Sequence, residues 1–196
     1  MKKYLFILIY LSIVLFSSCK KNKNKVLECS DGSANYAFLG NSYEWQYIYH
    51  SNTNTTDSMV IRIDSIPNVG TYQAHITYLP SGSKESIFYH ACGKDLYTST
   101  NGNIEQYTHW WFSLDANEGD KWTRTFNDRI FAYQLISKNT SVTTPILNQT
   151  FNDCYQFTFQ SSNRLVNADT IFFKPNIGVV YYKGIDASYE LAAVNF

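Results

Sequence analysis

Charge is scarce in this chain. Only 16% of its 196 residues are Asp, Glu, Lys or Arg, below the quarter or so usual for a globular domain. The two signs balance at 16 each, so the basic excess of a nucleic-acid-binding surface is missing and no nucleic-acid partner is expected. No G-x-S-x-G motif is present, which removes a nucleophile elbow. No glycine-rich loop of the phosphate-cradling kind is present either. Beyond the N-terminus no stretch carries a sustained helical stripe, and there is no internal repeat or domain boundary. What the chain has in abundance is aromatic side chain: 17% of residues, with 16 Tyr and 13 Phe. That supply of burial surface excludes a disordered chain, and the length suits one domain.

The zero net charge hides a division. Lys2, Lys3, Lys20, Lys21, Lys23 and Lys25 crowd the N-terminus, while residues from 26 onward carry 10 basic and 16 acidic side chains. The first two lysines precede an apolar run from Tyr4 to Phe16, followed by Ser17, Ser18 and Cys19. This is the order of a secretory signal: basic start, apolar centre, small residues at the cut. The apolar run of 13 residues is short of the roughly 20 needed to span a bilayer as a helix. The segment L-F-S-S-C at 15–19 resembles the lipobox of bacterial lipoproteins, with Phe16 at the position where that class most often has Leu. The resemblance implies cleavage before Cys19 and a diacylglyceryl group on its sulfur, so the expected partner is membrane lipid. Residues 1–18 are then a lipoprotein signal peptide, 19–28 a lipidated cysteine with a basic tether, and 29–196 the folded domain. Multiple acyl chains give stable anchoring, at about 0.8 kcal/mol per buried methylene. In such bacteria acidic residues after the cysteine often mark surface export. Here lysines stand there, so the expected location is the cell envelope, at the outer membrane with the domain facing the periplasm.

With Cys19 assigned to the anchor, Cys29, Cys92 and Cys154 remain. An exported compartment permits disulfides, and three cysteines allow three pairings. Cys29 in E-C-S-D-G and Cys92 in H-A-C-G both lie beside turn residues, whereas Cys154 lies inside an aromatic run and reads as a buried strand residue. Cys29–Cys92 is the favoured pairing, with all three reduced as the alternative.

The body reads as strands throughout. Tyr43, Trp45, Tyr47 and Tyr49 alternate, as do Met59, Ile61 and Ile63, then Tyr72, Ala74, Ile76 and Tyr78. A further alternating run covers Ile104 to Phe112, and others follow at 122–126, 131–135, 155–159, 171–173 and 179–182. Turn-rich tetrads and triads separate them at 80–82, 101–103, 117–120, 161–163 and 175–178. A strand about every ten residues is the spacing of an all-β sandwich or barrel. Connections this short leave no room for crossover helices. The expected fold is therefore all-β: ten to twelve strands in a single large antiparallel meander, strongly curved or closed into a barrel or half-barrel to hide its edges.

The C-terminal half carries G-D-K-W at 119–122, T-F-N-D-C-Y-Q-F at 150–157 and I-F-F-K-P-N-I-G-V-V-Y-Y at 171–182. In that order these segments resemble exported β-rich lipoproteins of unknown function from the Bacteroidota. The resemblance implies a curved antiparallel sheet, sometimes likened to the half-barrels of lipoprotein carriers, and assigns no catalytic residue. In the third segment Pro175 and Gly178 are expected to set a turn, with Gly178 at positive φ.

Chemistry is hard to find. His50, His75, His90 and His109 all fall in strand-like runs, and only His90 and Cys92 share a ligand-like spacing, short of the four ligands a zinc site takes. Asp115, Glu118 and Asp120 miss the calcium-loop pattern and read as a solvated hairpin tip. No metal, no cofactor and no catalytic residue is assigned. The aromatics remain: Trp45, Trp110, Trp111 and Trp122 are the candidate ligand-facing side chains, since Tyr and Trp suit surfaces that are part apolar, part wet. Trp110 and Trp111 are adjacent, so on a strand one of them faces outward or into a second layer. The expected function is a membrane-anchored envelope lipoprotein with a non-catalytic β-domain for a ligand or envelope partner. A carbohydrate-binding accessory module is the alternative, with a carboxylate-dependent hydrolase behind it.

Overall fold

A computed structural model describes residues 35–40, 42–51, 56–65, 70–100, 111–126, 129–161 and 168–195. The chain forms twelve strands: β1 (Glu44–Ser51), β2 (Thr56–Ser65), β3 (Thr71–Leu79), β4 (Lys84–Cys92), β5 (Asp95–Ser99), β6 (Trp111–Ser113), β7 (Lys121–Phe126), β8 (Arg129–Thr143), β9 (Thr150–Ser161), β10 (Asp169–Lys174), β11 (Gly178–Lys183) and β12 (Ala187–Asn195). They make one antiparallel sheet in the order β6-β5-β4-β3-β2-β1-β12-β11-β10-β9-β8-β7. No α-helix occurs among the described residues.

The order is two six-strand meanders joined through β1 and β12, which pair from Glu44↔Asn195 to Ser51↔Ala187 with one register shift at Gln46/Tyr47. The start and end of the domain thus lie mid-sheet. Its edges, β6 and β7, are neighbours in sequence. The sheet is open: β6 and β7 exchange no ladder bonds. It curls until the ends lap. Phe112 of β6 packs inward on Phe157 and Phe173, with ring centroids 5.0 Å away in each case. Trp111, on the other face of β6, meets Trp122 of β7 at 6.0 Å and Tyr133 of β8 at 6.3 Å. Lapping explains why β5 is buried on both faces from Leu96 to Ser99.

Alternation builds the inner face. Tyr47↔Met59 and Met59↔Tyr78 are direct cross-strand pairs, as are Ile61↔Ile76, Ala74↔Ile87 and Tyr89↔Thr98. Opposed residues share a face, so these side chains all point into the curl, and Arg62 and His75 between them point out to Asp64. One end of the curl is filled by the segment before β1. Phe38 sits edge-on to Trp45, Tyr89 and Phe173 at 5.7–5.9 Å. The Tyr36 hydroxyl donates to the Lys94 carbonyl at 2.6 Å. Gly178 has φ +100°, as the turn before β11 requires, and a Cβ there would also touch the Phe38 ring at 3.4 Å.

Two features lie beyond simple pairing. β11 pairs with β12 only from Tyr181↔Glu190 to Lys183↔Ser188. Where the two strands part, side chains of β1 take over: Trp45 Nε1 donates to the Ile177 carbonyl at 2.6 Å and the Tyr47 hydroxyl to the Val179 carbonyl at 2.9 Å. Secondly, β8 and β9 form a long hairpin with three register irregularities between Leu135 and Val142. Its tip reaches Glu190, a fully buried residue on the face opposite Tyr189 and Leu191. The Glu190 carboxylate accepts from Ile146 N at 3.0 and 3.1 Å and from Leu147 N at 3.0 Å.

One expectation is corrected here. Residues 115–120 are not a hairpin tip, because β6 and β7 are opposite ends of the sheet; the loop bridges the lap. Its carboxylates are engaged within the protein. Asp115 binds Lys94 Nζ at 2.7 Å, Glu118 accepts from Lys138 N at 2.7 Å and Ser137 Oγ at 3.1 Å, and Asp120 accepts from Asn117 N at 2.8 Å. The Lys138 amide and Ser137 hydroxyl hold the Glu118 carboxyl below its ordinary range.

Candidate functional site

The filled end of the curl leaves the other end hollow. There the inner face encloses a cavity of about 260 Å³, on the order of nine water volumes at ~30 Å³ each. Tyr47, Met59, Ile61, Ile76, Ile87 and Tyr89 form its wall on the first meander. Phe159, Val179 and Tyr189 close it from the second. The hollow exists because the plug formed by Tyr36, Phe38 and Leu39 stops at the level of Trp45, one side-chain row below Tyr47 and Met59. Beside that plug the interior leaves only about 10 Å³.

Polar groups on the lining are few. The Tyr47 hydroxyl is spent on Val179. Thr98 is 2% exposed and lies deep. At the exposed rim Tyr78 donates to Glu85 Oε1 in a short hydrogen bond. Among the described residues no Lys, Arg, His or Cys lines the cavity. Burial pushes the phenols of Tyr47, Tyr89 and Tyr189 well above their usual range. Burial, then the Glu85 hydrogen bond, does the same for Tyr78. The rings are therefore neutral walls at physiological pH. Such a lining can exclude water from an apolar group and accept a hydrogen bond at its mouth.

The residues singled out from sequence lie elsewhere. Trp45 is 2% exposed and bonded to Ile177, below the cavity. Trp111 and Trp122 are partly buried in the lap, Trp111 tilted against Tyr97 at 5.3 Å and Trp122 stacked on Tyr133 at 6.0 Å. Their two indole N–H groups are buried without a hydrogen-bond partner among the described residues. Trp110 lies outside the described residues, as do Cys19, Cys29 and His109. Cys92 is disulfide-bonded, to a partner outside the described residues, and Cys154 is free and buried. Asn35 Nδ2 donates to Gly93 O at 2.9 Å, so the chain entering β1 lies against the β4–β5 turn next to Cys92. His90 faces away from Cys92's neighbour Ala91 and is held by Ser99 Oγ at 2.8 Å and Thr71 Oγ1 at 3.2 Å. No group of three or more His, Cys, Asp or Glu among the described residues is arranged to hold a metal ion.

The cavity residues themselves were missed by sequence reading. Their alternation was visible, but alternation marks a face and does not say whether that face is packed or hollow. The rim pair did leave a signal: Tyr78 and Glu85 flank P-S-G at 80–82, which places them across a hairpin.

No family model matches the chain, and no curated protein matches it. Among solved structures the chain is similar to a Bacteroides fragilis protein described as exported and of YmcC-like fold. The two are 12% identical, with a TM-score of 0.49 over 82% of this chain and 99% of the other.

Proposed function

We propose that this is an exported, lipid-anchored protein of the bacterial cell envelope whose β-domain binds the apolar part of a small ligand without acting on it chemically. The cavity of about 260 Å³ carries the reading. Closing such a volume with larger side chains would be favourable, because an unfilled interior forfeits packing contacts; an occupant is the alternative way of filling it. The lining is aliphatic and aromatic, so the occupant is apolar over most of its surface. Non-catalytic binding fits a lining with one carboxylate at the rim and no histidine, cysteine or lysine among the described residues. The glycan reading has less support, since none of the three described tryptophans lines the cavity.

Binding has a direct reporter. The chain contains two methionines, Met1 and Met59, and Met59 lines the cavity. Methyl-labelled methionine in the full chain, held in lipid nanodiscs, gives a Met59 resonance that should shift saturably on adding phenylbutanol. An unmoved resonance at millimolar concentrations overturns the binding reading. The anchor is tested separately by the mass of the mature N-terminal peptide. Diacylglyceryl on Cys19 is expected, and an unmodified Cys19 or a retained Met1 overturns it. The same digest, unreduced, is expected to contain a Cys29–Cys92 cross-linked peptide.

A further inference from the structure

The charge pattern at the mouth says more about the occupant. Glu85 is exposed at the rim, and only its Oε1 is engaged, by the Tyr78 hydroxyl. Its second oxygen, Oε2, has no hydrogen-bond or ion-pair partner recorded among the described residues, so an acceptor stands ready where a ligand's head would emerge. Two of the lining phenols, Tyr78 and Tyr47, already donate to Glu85 and Val179. No cation among the described residues pairs with the carboxylate. Lys84, its neighbour in sequence, alternates to the opposite face, where it is paired with Thr77. Asp57 is paired with Tyr49, on the same inner face as Tyr47, and adds a second negative group on that side. The rings of Tyr49 and Tyr78 lie edge to face at 5.8 Å beside the rim, and aromatic faces attract cations.

Resting on the cavity-binding reading above, we infer that the site selects an apolar ligand with a cationic head, an aryl- or alkylamine, over the matching carboxylate. An ammonium reaches Glu85 Oε2 at the rim while its apolar stem fills the hollow. A carboxylate of the same length meets like charge and finds no basic side chain on the lining among the described residues. A neutral alcohol falls between the two.

The test uses the Met59 methyl resonance of the full chain in nanodiscs, with phenylbutylamine, phenylbutanol and phenylbutyrate as probes. Wild type is expected to bind the amine about 10-fold more tightly than the carboxylate, from a roughly 3-fold gain on one side and a similar loss on the other. Raising the salt should shrink the gap, because rim charges are screened. Glu85→Gln should bring the amine and carboxylate within about 2-fold of each other. Glu85 is exposed, so the variant is expected to fold; an unchanged melting temperature confirms it, and Tyr78→Phe, which frees Glu85 Oε1, should strengthen amine binding. Equal or tighter binding of the carboxylate overturns this inference and leaves the cavity reading standing. Failure of all three probes to move Met59 overturns both.

Discussion

Replacing Glu190 by alanine tests how the long hairpin is held. The carboxylate is fully buried and accepts from the backbone N–H groups of Ile146 and Leu147 at 3.0–3.1 Å. Hydrogen bonds to a charged group contribute about 1.5–3 kcal/mol each, and losing the acceptor strands both donors. Removing a buried charge returns part of this, since its desolvation no longer opposes folding. Ile146 is itself 48% exposed, so water can reach its amide once the tip loosens. The net expectation is a loss of roughly 2–4 kcal/mol. For a domain of this size that lowers the melting temperature by about 10 °C. Glu190→Gln keeps one acceptor oxygen and should fall about midway. Denaturant unfolding gives the stability, and amide hydrogen exchange at Ile146 and Leu147 gives the location. A Glu190→Ala protein within about 0.5 kcal/mol of wild type, or with unchanged exchange at both amides, would refute the reasoning.

Two other perturbations follow from single contacts. Tyr47→Phe removes only the hydroxyl that satisfies the Val179 carbonyl where β11 and β12 part, and should cost about 1–2 kcal/mol in denaturant unfolding; no change would mean the carbonyl finds another donor. His90 is 4% exposed, and burial pushes its imidazole from 6.5 down to about 4. It is thus neutral in the fold but takes up a proton below 6.5 when unfolded, so the unfolded chain binds more protons. Its contribution is complete above 6.5 and is lost as the pH falls towards 4, by up to roughly 3 kcal/mol. Titrating carboxylates act in wild type and His90→Gln alike, so the difference between their stability–pH curves isolates this effect. Parallel curves from pH 7 to 4 would contradict it.

How much could be read from the chain depends on which interactions are local. The strands were legible because Tyr72, Ala74, Ile76 and Tyr78 alternate with Gln73, His75 and Thr77, and period two needs nothing but the chain itself. The turn at Gly178 was legible for the same reason. The lap was not. N-E-G-D at 117–120 has the composition of a hairpin turn, yet the β1–β12 pairing places β6 and β7 at opposite edges, and only the full strand order reveals it. Trp45 looked like a binding aromatic; its indole N–H is instead given to the Ile177 carbonyl, below the cavity. Glu190, in Y-E-L, gave no hint of burial, since its partners are backbone amides more than 40 residues away. The cavity depends on how far the plug at Tyr36–Leu39 reaches into the curl, a distance no residue pattern records.

The most direct measurement fills the hollow. Ile87 is partly buried on the cavity wall, and Ile87→Trp places an indole in the space. The Met59 methyl resonance of this variant and of wild type, each as the full chain in nanodiscs, is followed during titration with phenylbutanol. The account predicts a saturable shift in wild type and none in the filled variant, with the variant still folded by circular dichroism. Identical titrations in the two proteins would mean that the ligand sits elsewhere, and that the curled sheet does not serve as its container.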